Sequence, residues 1–97
     1  MKILVLEPNK GFEVREIEGE LKDYQEIVGG YIEAVPTRSN NILMICNEEG
    51  KIKGLKPNFK MGNDIVVGSV LFVGRGGEDF RELTDEEIAE VKGWFGY

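Results

Sequence analysis

The sequence predicts an α+β fold, a mostly antiparallel sheet of five to six strands with two helices packed on one face. Three observations carry that expectation. Short β-rich runs bounded by turn formers recur along the chain, at 3–6, 31–35, 42–46 and 65–73. Two segments instead space their apolar residues by three and four, as one face of a helix requires: Leu21, Tyr24, Ile27 and Val28, then Ile88, Val91 and Phe95. A length of 97 residues with 41% apolar content suits one domain spanning 1–97 with a modest core.

Each element has a local reason. Ile3-Leu4-Val5-Leu6 is a strand that Pro8, Asn9 and Gly11 turn back into a second, Phe12, Val14 and Ile17 lying on its better-covered side. A short helix follows from Glu20 to Val28, and Gly29 closes it because glycine adopts the left-handed backbone without a Cβ penalty. Tyr31 to Val35 is a strand ended by Pro36, and Thr37-Arg38-Ser39-Asn40-Asn41 is an exposed polar loop. Ile42 to Cys46 resumes the sheet, and Asn47-Glu48-Glu49-Gly50 reads as a hairpin tip leading into a strand Lys51-Ile52-Lys53. Gly54 to Asn58 is a bend. Ile65 to Val73 then reads as one central strand buried on both sides. The last helix has the clearest start: Thr84 caps it, Glu87 completes a capping box, and Leu83 staples to Ile88.

Charge and composition exclude several function classes. With no histidine, the chain lacks the one side chain whose ordinary pKa lies in the physiological window, and the commonest metal ligand. No metal site, no cofactor and no catalysis are expected, and the serines and threonines have no histidine to activate them. Glu48-Glu49 and Asp85-Glu86-Glu87 read as a hairpin tip and a helix start. A net charge of −6 disfavours general nucleic-acid binding. The longest apolar run, interrupted by Gly68 and Ser69, is far short of the roughly 20 residues of a membrane helix. Glu7-Pro8 ends the first apolar stretch before a signal-peptide core forms, so a cytosolic protein is expected. The single Cys46, flanked by apolar residues, reads as a buried thiol. Thirteen glycines in so small a chain make self-association a further expected source of stability, with Trp94 and Tyr97 sealing the subunit contact.

A longer pattern is carried by Glu7-Pro8, by Val28-Gly29-Gly30-Tyr31-Ile32-Glu33, and by Cys46-Asn47-Glu48-Glu49-Gly50-Lys51 with Gly54-Leu55 and Pro57-Asn58. It continues through Asp64-Ile65, Gly68, Val73-Gly74 and Asp79-Phe80 to Leu83-Thr84-Asp85-Glu86. In these residues the chain resembles the family called domain of unknown function 3846. The resemblance implies an origin in bacteriophages, plasmids or integrated elements, hence residence in a bacterial cytosol and roles such as counter-defence. It implies no catalytic residues.

What remains points to binding. Gly74, Gly76 and Gly77 around Arg75 follow a core strand, where successive N–H groups would form a nest for phosphate. Lys51, Lys53, Lys56 and Lys60 make a basic island in an acidic chain, and Asn47 and Asn58 flank it with amides suited to a base or ribose. Phe59, between Asn58 and Lys60, is a ring placed to stack on a base. Each also has a plainer reading, as turn residues, edge-protecting lysines and core. The expected function is non-enzymatic sequestration of an anionic, nucleotide-like small molecule. The alternatives are a protein-binding inhibitor or DNA mimic using acidic faces at 13–26 and 78–90, and an accessory structural protein.

Overall fold

The computed structural model describes all 97 residues. In chain order it contains β1 (Lys2–Leu6), β2 (Phe12–Glu16), α1 (Leu21–Val28), β3 (Ile32–Pro36), β4 (Ile42–Asn47), β5 (Pro57–Met61), β6 (Asp64–Val67), β7 (Val70–Arg75), β8 (Phe80–Arg81) and α2 (Asp85–Trp94). The main sheet runs β2-β1-β7-β4-β3, with β8 paired to the end of β7, and β5 and β6 form a separate hairpin. Every pairing is antiparallel. The α+β class is therefore as the sequence predicts.

The placement of the helices is not. Successive strand residues point to opposite faces, and on β1, β4 and β7 both sets are buried. Ile3, Val5, Leu43, Ile45, Leu71 and Val73 pack with Tyr24 and Val28 of α1. Leu4, Leu6, Ile42, Met44, Val70 and Phe72 pack with Ile88 and Val91 of α2. The helices thus cover opposite faces, and runs such as Ile3-Leu4-Val5-Leu6 are apolar at consecutive positions because both sides are covered.

The middle of the chain departs most from expectation. Lys51-Ile52-Lys53 is a turn, not a strand: Lys53 N–H bonds the Glu49 carbonyl at 2.9 Å and Leu55 N–H the Gly50 carbonyl at 3.0 Å. Ile52 is consequently 87% exposed. The run 65–73 is two strands, because Gly68 turns the backbone to φ 78°. Strand β7 is the expected central one, whereas β6 folds back on β5 with a bulge between Pro57 and Phe59. Asn58, from the predicted bend, ties this hairpin to the sheet by donating to the Leu6 and Gly68 carbonyls, both at 2.8 Å. Cys46 is half-buried, and burial raises its pKa, with the Glu33 charge adding to the effect.

The caps form as expected. Gly29 closes α1 at φ 81°, its N–H reaching the Gln25 carbonyl at 2.8 Å. At α2, Thr84 and Glu87 exchange bonds of 3.0 and 3.1 Å, and Leu83 and Ile88 share one core. Glu87 also takes two bonds of 2.8 Å from Arg81, a fork that joins β8 to α2. Those bonds, chiefly, hold its carboxyl down from 4.5 to about 2 against the opposing effect of burial. A depressed acid stabilises the fold fully above its unfolded-state pKa, and the contribution disappears as pH falls through the folded value. Stability is therefore expected to fall between about 4.5 and about 2. Discounted for solvent around the 38%-exposed Arg81 side chain, the contribution is about 1–2 kcal/mol. Urea titrations of Glu87→Gln check it: the variant should lag at neutral pH and converge with the parent in acid.

Candidate functional site

An open groove of about 450 Å³ lies between the β5–β6 hairpin, the end of α2 and the corner after β3. Packing builds it. Phe95, just past α2, meets Phe59 edge-on at 4.8 Å and Phe72 at 6.2 Å, while Trp94 meets Phe72 at 6.4 Å. Phe72 and its cross-strand neighbour Met44 form the floor, Met61 lines the groove from β5, and the Arg38 guanidinium lies 5.3 Å from the centre of the Trp94 ring. Lys60 completes the rim, and no Asp or Glu lines the groove. Neither Arg38 nor Lys60 makes an ion pair, although most of the chain's cations do. A net −6 chain thus keeps two uncommitted positive charges beside exposed aromatic surface. That arrangement suits a planar anion, through stacking and charge together.

Of the residues singled out from sequence for ligand binding, Phe59 and Lys60 line this groove, and Trp94, expected at a subunit contact, lines it as well. Asn58 anchors the hairpin that carries it. Asn47 is buried and committed to the fold, donating to the Val28 carbonyl at 3.0 Å and accepting from Glu49 N–H at 2.8 Å. Lys51 is bonded to Asp64, whose pKa it lowers, and Lys53 faces Glu49 at 3.9 Å. Asn47 and Lys51 border a neighbouring groove whose rim holds Glu33, Glu48, Glu49 and Asp64. The basic island is therefore divided: its first half is neutralised, and Lys60 alone of the four lysines enters the aromatic groove.

The glycine loop lies elsewhere and is not a nest. Gly74 is paired within the sheet to Ile42 and Arg81, and none of Gly74, Gly76 and Gly77 has the positive φ that a nest alternates with the right-handed conformation. A Cβ on Gly74 would sit 2.3 Å from the Arg81 guanidinium, and one on Gly76 would sit 2.1 Å from the Asp79 carbonyl oxygen. The glycines permit close approach within the β7–β8 hairpin. Arg75 is engaged too, its Nε donating to the Asn40 carbonyl at 2.8 Å. At about 3.3 Å per strand residue, this loop lies roughly 20 Å along β7 from the hairpin anchored by Asn58.

Sequence reasoning missed Arg38, which it placed in an undifferentiated polar loop, and gave Trp94 to a subunit contact. The one available signal was an arginine among Thr37, Ser39, Asn40 and Asn41; nothing local connects it to Trp94. No group of three His, Cys, Asp or Glu side chains is placed to hold a metal ion, and no helix is long and apolar enough to cross a membrane.

Fold and groove together define a small α+β domain with one central sheet, a helix on each face, and an aromatic cleft under an anchored hairpin. The chain belongs to the family described as Domain of unknown function (DUF3846), whose model matches residues 1–96. No curated protein and no solved structure matches it.

Proposed function

We propose that this protein captures a small, planar, anionic molecule of the nucleotide class in the aromatic groove and releases it unchanged. One observation carries the reading: Arg38 and Lys60, free of carboxylates, flank the rings of Phe59, Trp94 and Phe95 in a chain that is otherwise acidic. Rings recognise the flat face of a base, and the two cations attract its phosphate. The lining contains no histidine, cysteine or carboxylate, so it supplies no proton shuttle near neutral pH. In a mobile genetic element, such capture would lower the free concentration of a host nucleotide signal.

Trp94 is the chain's only tryptophan, so its fluorescence reports directly on the groove. Titration with a panel of linear and cyclic nucleotides is expected to quench it and release heat for at least one member. Neutralising Arg38 and Lys60 together should weaken that binding by about 30–1,000-fold, at roughly 1–2 kcal/mol per charged contact. Neutralising Lys51 and Lys53 should change it little. Absence of heat and of quenching across the panel overturns the reading.

A second reading has its own support. The acidic segments 13–26 and 78–90 meet at a depression bounded by Glu18, Tyr24, Asp79 and Phe80. There, burial and then Asp23 and Asp79 raise the pKa of Tyr24. A basic partner protein would dock at this place, and reversing Glu18 and Asp79 would abolish that contact while leaving nucleotide binding intact.

A further inference from the structure

One long side of the main sheet is uncovered. Strand β3 is terminal in the sheet order. Its register with β4, and the 2.9 Å bond from Glu48 N–H to the Tyr31 carbonyl, put Tyr31, Glu33 and Val35 in the hydrogen-bonded pairs. Ile32 and Ala34 therefore turn their N–H and C=O groups away from the sheet. Pro36, which has no N–H, ends the row.

Beside this edge lies the second groove, also about 450 Å³, between β3–β4 and the β5–β6 hairpin. Its interior is apolar. Ile52, Met61 and Ile65, exposed by 87%, 40% and 47%, all border it. Scattered singly, such side chains require no explanation; gathered on one groove they mark a contact surface. The rim is acidic, with Glu33 and Glu48 unpaired and Lys51, the one cation there, already held by Asp64.

We propose that the β3 edge and this groove receive an extended segment of a partner protein as an added strand. The segment's groove-facing side chains, every second residue, are apolar and basic. Main-chain bonds to Ile32 and Ala34 would supply affinity common to any extended chain. Specificity would come from the groove, where apolar side chains meet Ile65 and Met61 and lysine or arginine meets Glu33 and Glu48. Charge selects a basic partner over a second copy. Each copy carries −6, and pairing β3 with the β3 of a second copy would bring two unpaired Glu33 carboxylates together.

The test uses the whole chain and a labelled Lys-Thr-Val-Thr-Lys-Thr-Val peptide, compared with its counterpart carrying Glu in place of each Lys. Fluorescence anisotropy should show binding of the basic peptide, and binding of the acidic one weaker by about tenfold or more. Glu33→Lys, at an exposed position, should weaken the basic peptide by a similar factor. On saturation with the basic peptide, exchange of the Ile32 and Ala34 amides should slow by about tenfold or more. Failure of the basic peptide to bind, equal binding of the two peptides, or binding that leaves those two amides unprotected would each overturn the proposal. So would a concentration-dependent dimer whose Ile32 and Ala34 amides are protected without peptide, which would assign the edge to a second copy.

Discussion

Phe72→Ala is expected to lower the unfolding free energy by about 3–5 kcal/mol. Phe72 is 2% exposed at the centre of β7, packed in one cluster with Leu4, Met44, Ile88 and Val91. It also touches Trp94 and Phe95 edge-on. Truncation removes buried ring surface and leaves a cavity that a close-packed sheet flanked by a helix cannot fill. Because the same ring is the floor of the aromatic groove, ligand binding should decline along with stability. Phe72→Leu, which keeps most of the volume, should cost about 1–1.5 kcal/mol and retain the groove. Urea denaturation with an unchanged m-value is the measurement. A loss below about 1 kcal/mol for the alanine variant would mean that the ring is not part of the core.

Gly68→Ala is expected to cost about 2–3 kcal/mol, from two separable sources. At φ 78° any L side chain is strained, and a Cβ there would approach Leu55 Cδ1 to 2.7 Å. Gly29→Ala isolates the first source, since its φ of 81° is similar and its Cβ would meet open space. That control should lose only about 1–2 kcal/mol. The residue also clasps the hairpin: Gly68 N–H reaches the Lys56 carbonyl at 2.7 Å, and its own carbonyl accepts from Asn58 at 2.8 Å. Gly68→Ala should therefore accelerate amide exchange throughout 57–67 before the main sheet opens. Equal losses for the two variants would show that Leu55 yields freely.

The elements legible from sequence are those whose signals lie within a few residues. The β1–β2 hairpin follows from Pro8, Asn9 and Gly11, of which Asn9 takes the left-handed conformation at φ 62°. The Gly29 cap follows from a glycine that turns left-handed and returns its backbone N–H to the Gln25 carbonyl, and the Thr84–Glu87 box from side chains that meet backbone groups three residues away. Over 65–73 hydrophobicity is nearly continuous but the backbone is not: Gly68 and Ser69 interrupt the run, and Gly68, at φ 78°, lets the chain turn between two strands. The strand expected at Lys51-Ile52-Lys53 failed for another reason. Alternation over three residues is too short to distinguish a strand from a turn, and the chain closes instead through Glu49, Gly50 and Lys51 carbonyls.

By itself the sequence determined the α+β class, the caps, the presence of a central buried strand within 65–73 though not its bounds, and the poverty of acid–base groups, because each depends on composition or on neighbours along the chain. Tertiary structure alone decided that the helices take opposite faces, that Lys51 and Lys53 are neutralised while Arg38 and Lys60 stay free, and that Trp94 lies beneath Arg38. Those outcomes depend on which segments pack together. Arg38, Phe59, Lys60 and Trp94 come from three separate parts of the chain, and only burial of the Phe72 and Phe95 rings between sheet, hairpin and helix draws them onto one groove.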